Sequence, residues 1–216
     1  MRAAEPLDPA TLIDISVPLS ASTPPWPGDT PWSCGWAWSI ADGASVNVSK
    51  WETSPHVGTH ADAPVHVMRD GAGADVLPLA PFVGPARVAD VRDVRGPISI
   101  AQLQAGGWQP GTARLLLNTG QTTAAGIFPE AWPALADDTA AALVADGLIL
   151  LGVDAPSVDE RESKTLSVHH ILFGARCYLL ENLDLRNVAP GEYQLLAPPL
   201  KVGGGDAAPV RAFLRR

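Results

Sequence analysis

The organisation of the chain follows from the segment Ser54-Pro55-His56-Val57-Gly58-Thr59-His60-Ala61-Asp62-Ala63-Pro64-Val65-His66. Three of the five histidines of the protein fall within it, grouped around one aspartate. Imidazole nitrogens and carboxylate oxygens are the usual ligands of zinc and similar divalent ions, so His56, His60 and Asp62 predict part of a metal site. The alternative is a set of surface or capping histidines in a loop rich in proline and glycine.

The spacing of His56 and His60 would also suit one face of a helix, as in helical zinc proteases. That interpretation fails because Val57 stands where those proteases need a glutamate, and because prolines and a glycine interrupt the segment. We predict instead an irregular loop that leaves a strand. Gly58 would allow a tight turn in this loop and let both imidazoles converge.

The length and composition are those of one globular domain spanning residues 1–216. Hydrophobic residues make up 46% of the chain and charged residues 18%, which argues against disorder. The formal net charge is −8, and lysine and arginine form no run, so we expect no nucleic-acid partner. No apolar run is long enough to cross a bilayer, and Met1–Pro6 lacks the apolar core of a signal peptide. We therefore expect no membrane partner and a cytoplasmic location.

Cysteine usage excludes a disulfide framework. Cys34 and Cys177 are the two cysteines of the chain, and neither lies in a Cys-x-x-Cys pattern. We expect both to be buried thiols that behave as small apolar side chains.

Hydrophobic patterning along the rest of the chain predicts an α/β fold. The predicted strands are 12–18, 36–39, 45–51, 86–91, 114–119, 148–154, 177–182, 193–197 and 210–214, and the predicted helices are 99–103, 139–146 and 166–173. The strands 36–39 and 45–51 form an antiparallel pair in this prediction. The succession of strand, helix and strand predicts parallel pairing with covering helices, so we expect a mixed β-sheet core with flanking helices.

Two further segments stand out by composition. The prolines of residues 23–31 predict a stiff loop that presents Trp26, which either contacts a ligand or packs against the proline rings. Residues 201–206 contain three glycines but lack the lysine and hydroxyl residue that end a phosphate-binding loop, and we interpret them as a flexible connection.

Two later positions are candidates for the same metal site. His169 and His170 are adjacent, and Glu181 ends an otherwise apolar strand, where a buried carboxylate would need a cation or hydrogen bonds. If Asp62 and Glu181 each bridge two ions, five protein ligands suffice for a two-metal site. The alternative for Glu181 is a surface position at the end of a strand.

Several segments together carry a family resemblance. They are Asp14–Ser16, Trp26–Thr30, His56–His66, Ser167–His170, Leu180–Leu183, Gly191–Tyr193 and Pro209–Ala212. In these segments, which extend over nearly the whole chain, the sequence resembles the metal-dependent cyclase family. The Trp26 loop and the compact length are similar to the formamidase branch of that family. The resemblance implies a swivelling β/β/α-like cyclase fold and a homodimer.

The resemblance also implies roles for the candidate residues. One metal ion would be held by His56, His60, Asp62 and Glu181, and the second by Asp62, Glu181 and His169. The ions would be two divalent cations, with zinc favoured by the ligand types and manganese or cobalt also compatible with them.

Two more roles follow from the same resemblance. His66 would donate and accept the proton in catalysis, although its chemistry alone also allows a further metal ligand or a supporting hydrogen bond. Trp26 would contact the substrate. Val65 and Val67 depart from the bulkier residues expected beside His66, which affects the pocket and not the metal site.

The activity implied is hydrolysis of an aromatic formamide, N-formyl-kynurenine, to kynurenine and formate in tryptophan catabolism. Two alternatives remain at this point. One is another amide hydrolase of the same family, such as one that opens isatin. The other is a metal-binding protein without catalytic activity.

Overall fold

A computed structural model describes residues 11–216. The segment Met1–Pro6, in which the sequence analysis finds no signal peptide, lies outside the described residues. The strands are β1 (Leu12–Asp14), β2 (Ser33–Trp38), β3 (Val48–Glu52), β4 (His60–Asp62), β5 (Val83–Asp90), β6 (Arg114–Asn118), β7 (Leu150–Val153), β8 (Tyr178–Leu180), β9 (Gly191–Leu196), β10 (Ala207–Pro209) and β11 (Phe213–Arg215). The α-helices are α1 (Ile100–Ala105), α2 (Asp137–Ala145) and α3 (Ser167–Gly174).

A seven-stranded mixed sheet, in the order β1-β11-β9-β5-β6-β7-β8, forms the centre of the molecule. Strands β5 to β8 are parallel, and the connections between them contain α1, α2 and α3 in turn. Leu115, Leu116 and Leu117 of β6 are all buried, as expected for a parallel strand covered on both faces. The predicted α/β class, with parallel pairing and covering helices, is confirmed.

Side chains on the two faces of this sheet belong to two hydrophobic cores. Leu116 and Leu150 lie in one core, whereas Leu115, Leu117 and Leu151 lie in the other. The alternation follows from the period of two in a strand. The second core also receives the buried apolar residues of the three α-helices, so the helices cover one face.

Helix α1 begins with a capping box at Ser99. The Ser99 side chain accepts a hydrogen bond from the Gln102 backbone N–H, and the Gln102 side chain accepts one from the Ser99 backbone N–H. This reciprocal capping box satisfies donors that the first helical turn leaves without partners.

The antiparallel half of the sheet corrects one predicted element. Residues 210–214 do not form a single strand, because β10 ends at Pro209 and β11 begins at Phe213. Strand β10 pairs with β4, whereas β11 pairs with β9 and β1. The chain crosses from one sheet to the other at Val210, whose N–H donates to the Thr59 carbonyl. An alternating apolar pattern does not encode such a change of partner.

The histidine segment is more regular than predicted. Gly58 adopts a positive φ of 69°, which confirms the tight turn. His60, Ala61 and Asp62, however, form the short strand β4 rather than an irregular loop. They pair with β10 on one side, and His60 bridges Glu181 on the other. Pairing on both sides gives an extended geometry to residues whose local sequence favours a loop.

Strands β2 and β3 form the predicted antiparallel hairpin, but every one of their residues is exposed. Trp36 and Trp38 are 62% and 64% exposed. Cys34 is exposed as well, so its predicted burial is wrong, whereas Cys177 is buried as expected.

None of the helices formed by residues 11–216 has the length and hydropathy needed to span a membrane.

Candidate active site

Strand pairing brings the histidine segment against the end of β8. The His60 N–H donates to the Glu181 carbonyl, and the Glu181 N–H donates to the His60 carbonyl. Thr59 strengthens the same junction, because its hydroxyl donates to the Asn182 carbonyl and accepts from the Val17 N–H. His60 and Glu181 therefore lie directly opposite each other although 121 positions separate them in the chain.

The other four predicted ligands converge around Asp62. Its Oδ1 lies 3.1 Å from His56 Nδ1 and 3.2 Å from His60 Nε2, and its Oδ2 lies 3.2 Å from His169 Nε2. Glu181 faces two of these three histidines. Its Oε2 lies 3.5 Å from His60 Nε2, and its Oε1 lies 3.6 Å from His169 Nε2. Each carboxylate thus directs one oxygen to the His60 side and one to the His169 side.

Burial distinguishes the residues of the cluster from the other candidate ligand, His170. His60, Asp62, His169 and Glu181 are all buried, and His170 is exposed on the outer face of α3. The surface position considered for Glu181 is therefore wrong, and of the two adjacent histidines His169 lies in the cluster.

The cluster fits a divalent cation. Asp62 Oδ1 is buried and has no hydrogen-bond partner within residues 11–216, although two imidazole nitrogens lie close to it. Those nitrogens, His56 Nδ1 and His60 Nε2, are 3.1 Å apart. A buried carboxylate oxygen without a donor is costly, and convergent imidazole nitrogens around it form the ligand set that zinc-type ions prefer.

The carboxylates shift the pKa values of the buried imidazoles. Burial lowers the pKa of His56, but its hydrogen bond to Asp206 and the charge of the neighbouring Asp62 carboxylate outweigh that effect and raise the pKa to about 10. Burial also lowers the pKa of His169, which its bonds to Asp159 and Asp62 raise to about 10. Burial alone would raise the pKa of Asp62, yet the imidazoles hold it well below its usual value. Negative charge is therefore retained at the centre of the cluster.

Two aspartates that the sequence analysis did not select support the histidines from behind. Asp159 Oδ2 lies 2.6 Å from His169 Nδ1, and the same carboxylate accepts from the Val168 and His169 N–H groups at the start of α3. Asp206 Oδ2 lies 3.0 Å from His56 Nε2. Carboxylates in this position fix the tautomer and orientation of a ligating imidazole.

The segment that carries Asp206 is held in place, so the predicted flexible connection is wrong at this end. The Asp206 carbonyl accepts from the Ala63 N–H at 2.9 Å, and the Gly205 carbonyl accepts from the Ala74 N–H at 2.8 Å. The signal available in the sequence was an aspartate between a glycine run and the β10 strand. Asp159 offered none, since it lies in a loop with several other acidic residues.

His66 lies beside the cluster and is less buried than the ligand candidates. Its ring centroid is 4.4 Å from that of His56 and 6.0 Å from that of His169. Its Nδ1 lies 3.6 Å from Asp206 Oδ2, and one third of its side chain is exposed. His66, His56 and Asp62 also come close enough together to share an ion, so geometry alone permits both a proton-transfer role and a ligand role.

A cavity of about 300 Å³ opens onto the cluster. His56, His66, His169 and Glu181 form one part of its lining. Its apolar wall consists of Pro24, Trp26, Phe128, Pro156 and Leu166. The Trp26 ring packs edge-on against Phe128 and Trp132, with centroid distances of 5.3 and 5.9 Å. Trp26 therefore packs within an aromatic cluster and also lines the cavity, and its contact with a ligand stays a prediction.

The fold and this site define the class of protein. The chain belongs to the cyclase family, because the family model described as "Putative cyclase" matches residues 13–160. A solved structure titled "The Structure Of Potential Metal-Dependent Hydrolase With Cyclase Activity" has a TM-score of 0.80 and 28% identity, covering 94% of this chain and 96% of its own.

More specific relatives lie within this class. Kynurenine formamidase of Bordetella avium is 42% identical, covering 94% of this chain and 97% of its own length. The structure of isatin hydrolase A from Ralstonia solanacearum has a TM-score of 0.75 and 25% identity, covering 94% of this chain and 90% of its own. The sequence similarity is thus greater to the formamidase than to the isatin hydrolase.

Proposed function

We propose that the protein hydrolyses N-formyl-L-kynurenine to L-kynurenine and formate. The observation that carries this proposal is a single cavity with an aromatic wall on one side and a buried cluster of imidazoles and carboxylates on the other. An aromatic formamide presents matching parts, a ring and a polar carbonyl group. The full-length similarity to kynurenine formamidase supports the same assignment.

The proposed cofactors are two divalent cations, most simply zinc. His56, His60, Asp62 and Glu181 would hold one ion, and Asp62, His169 and Glu181 the other. The support is the arrangement of the two carboxylates, each with one oxygen towards His60 and one towards His169. Divalent ions in such a site lower the pKa of water towards neutrality and polarise a carbonyl group.

In this proposal His66 transfers the proton. Hydrolysis breaks the bond between the formyl carbon and the aryl nitrogen, and the leaving amine needs a proton. His66 lines the cavity and is partly exposed, so its imidazole reaches bound substrate while the buried histidines face Asp62. General acid catalysis of this kind contributes about 10²- to 10⁴-fold.

The apolar wall would orient the aromatic ring. Trp26 is braced by Phe128 and Trp132, so its indole is held in one orientation before substrate arrives. A preset aromatic surface lowers the entropy lost on binding and holds the formamide against the reacting groups. The cavity excludes part of the solvent from the same region.

The decisive experiment is a hydrolysis assay on purified protein with N-formyl-L-kynurenine, before and after removal of metal by a chelator. We expect turnover that chelation abolishes and added zinc restores. Manganese and cobalt, added separately, test the identity of the ion. A fully metallated preparation that hydrolyses neither this substrate nor isatin would favour a non-catalytic metal-binding protein, and faster hydrolysis of isatin would favour the isatin hydrolase alternative.

We also propose a homodimer in which the exposed hairpin contributes to the interface. Trp36, Trp38 and Trp51 are each more than half exposed, and a two-stranded hairpin alone is only marginally stable in water. Light scattering on the wild-type protein and a Trp38→Ser variant tests the proposal. We expect a dimeric wild type and a weakened dimer in the variant, and a monomeric wild type contradicts the proposal.

The predicted cytoplasmic location stays a prediction, to be tested by cell fractionation.

A further inference from the structure

We infer that the Asp29 carboxylate binds the ammonium group at the amino-acid end of the substrate and so selects amino-acid formamides over neutral ones. This inference rests on the proposed function. It concerns the part of the substrate that takes no part in the hydrolysis.

A single turn places Asp29 beside the aromatic wall. The Asp29 N–H donates to the Trp26 carbonyl at 2.9 Å, and Gly28 between them has a φ of 100°. A turn of this form needs a residue that accepts positive φ at its third position, which glycine does without strain. Both Trp26 and Asp29 line the cavity, so one turn supplies an aromatic ring and a carboxylate to the same space.

The turn is tied to the metal-site segment. The Ser54 hydroxyl donates to Asp29 Oδ2 at 3.0 Å, and Ser54 Oγ accepts from the His56 N–H at 3.3 Å. The carboxylate is therefore held relative to His56 through one side chain. A substrate bound both to the Asp29 carboxylate and at the site that contains His56 would have a fixed spacing between its amino-acid end and its formamide group.

The charge on Asp29 is left without a partner. Within residues 11–216, Oδ1 makes no hydrogen bond, and no lysine, arginine or histidine pairs with the carboxylate. Glu181, the other carboxylate of the lining, faces His60 and His169 and accepts from the Val158 N–H. The described lining contains no lysine or arginine. Asp29 is exposed to solvent, and a cationic group of a ligand in the cavity is the complementary partner for its free carboxylate.

The competing explanation is that Asp29 only holds Ser54 and the turn. An Asp29→Asn substitution separates the two roles, because asparagine keeps an acceptor for Ser54 and suits the turn while losing the charge. Ser54→Ala does the reverse, since it removes the hydrogen bond and keeps the charge. Asp93→Asn is a matched control that removes one exposed carboxylate outside the cavity.

The experiment measures kcat/KM of these variants on N-formyl-L-kynurenine and on formanilide, which has the aryl formamide but no ammonium group. We expect Asp29→Asn to lower the ratio of kcat/KM for N-formyl-L-kynurenine to kcat/KM for formanilide by about fivefold, through KM of the amino-acid substrate, the upper end for an ion pair at an exposed site. Asp93→Asn should leave the ratio as in the wild type. Asp29→Glu, which restores the charge, should recover part of the ratio.

The outcomes distinguish this inference from the proposed function. A ratio that stays constant in Asp29→Asn overturns the inference, whether both rates fall together or neither changes, and leaves the formamidase assignment standing. If Ser54→Ala lowers the ratio and Asp29→Asn does not, the hydrogen bond and not the charge sets selectivity, and the inference fails. A wild-type protein that hydrolyses neither compound overturns the proposed function and the inference together.

Discussion

His56 Nε2 lies 3.0 Å from Asp206 Oδ2, on the side of the imidazole ring opposite the Nδ1 atom that faces Asp62. The hydrogen bond from His56 holds the pKa of Asp206 down at about 2, so this carboxylate is an acceptor at neutral pH. It therefore holds the Nε2 proton of His56 and orients Nδ1 towards Asp62, where Nδ1 would bind a cation on losing its own proton.

This relationship predicts that Asp206→Ala weakens metal binding by about 10- to 100-fold, the usual cost of removing a carboxylate behind a ligating histidine. Competition with a chelating dye measures the affinity. Asp75→Asn is the control. Asp75 accepts from the N–H of Gly204, which lies in the same segment as Asp206, but Asp75 contacts no histidine. Equal metal affinity in Asp206→Ala and the wild type would contradict the supporting role.

Substitution of individual histidines should separate ligands from the proton-transfer residue. We predict that His60→Ala loses both metal and activity, because His60 is buried against Asp62 and Glu181. His66→Ala should keep its metal and lose about 10²- to 10⁴-fold in kcat. Elemental analysis of both purified variants gives the metal content. An empty His66→Ala protein would reassign His66 as a ligand.

The turn at Gly58 is predicted to be essential for the geometry of the site. Alanine there must adopt the positive φ of 69°, and its Cβ would lie 3.0 Å from the Val17 carbonyl oxygen. We expect Gly58→Ala to lower the free energy of unfolding by about 1–3 kcal/mol and to weaken metal binding, because the Gly58 carbonyl contacts His60 Nδ1 at 2.9 Å.

Gly43→Ala provides the control for backbone strain in denaturant unfolding. Gly43 also has a positive φ, of 89°, but an added Cβ would meet nothing within 4 Å. The excess loss in Gly58→Ala over Gly43→Ala therefore measures the close approach to Val17. Identical losses, with unchanged metal affinity in both variants, would show that the Gly58 turn is not specifically required.

Local chemistry made part of the site predictable from the sequence. His56, His60 and Asp62 lie within one short segment, so their ligand chemistry could be recognised without knowledge of the fold. Glu181 joins them through the pairing of β4 with the end of β8, and His169 joins them from helix α3. Their assignment depended on the family resemblance, because no local pattern encodes a contact between distant segments.

Other features depended on tertiary context in ways the sequence does not express. His60 lies in a strand because neighbours pair on both sides of it. Cys34 stands two positions before Trp36, in the alternation expected of a core position on one face of a strand. Among the described residues, however, no other element covers the hairpin, and all of its strand residues are exposed. Asp159 and Asp206 differ from surface aspartates only in what the fold places beside them, namely His169 and His56. Continuous apolar runs, by contrast, identified the parallel strands, because these strands are buried on both faces.

Asp154 is a buried acid outside the cavity lining. It is fully buried at the end of β7, where its carboxylate accepts from the Thr119 N–H and hydroxyl and from the Gly120 N–H. Burial raises its pKa from 3.8 to about 6 in spite of these hydrogen bonds. The folded protein therefore binds this proton more tightly than the unfolded chain does.

That difference predicts a pH dependence of stability. Between about pH 4 and pH 6 the folded state carries more of this proton than the unfolded state, so the free energy of unfolding falls as pH rises, by up to about 3 kcal/mol. The Asp154→Asn variant lacks this titrating group. Its free energy of unfolding, relative to that of the wild type, should therefore increase by up to about 3 kcal/mol between about pH 4 and pH 6. Urea unfolding of both proteins at a series of pH values, with chelator present throughout, measures the difference. Since the site histidines are common to both proteins, a constant difference would mean that Asp154 has an ordinary pKa in the folded state.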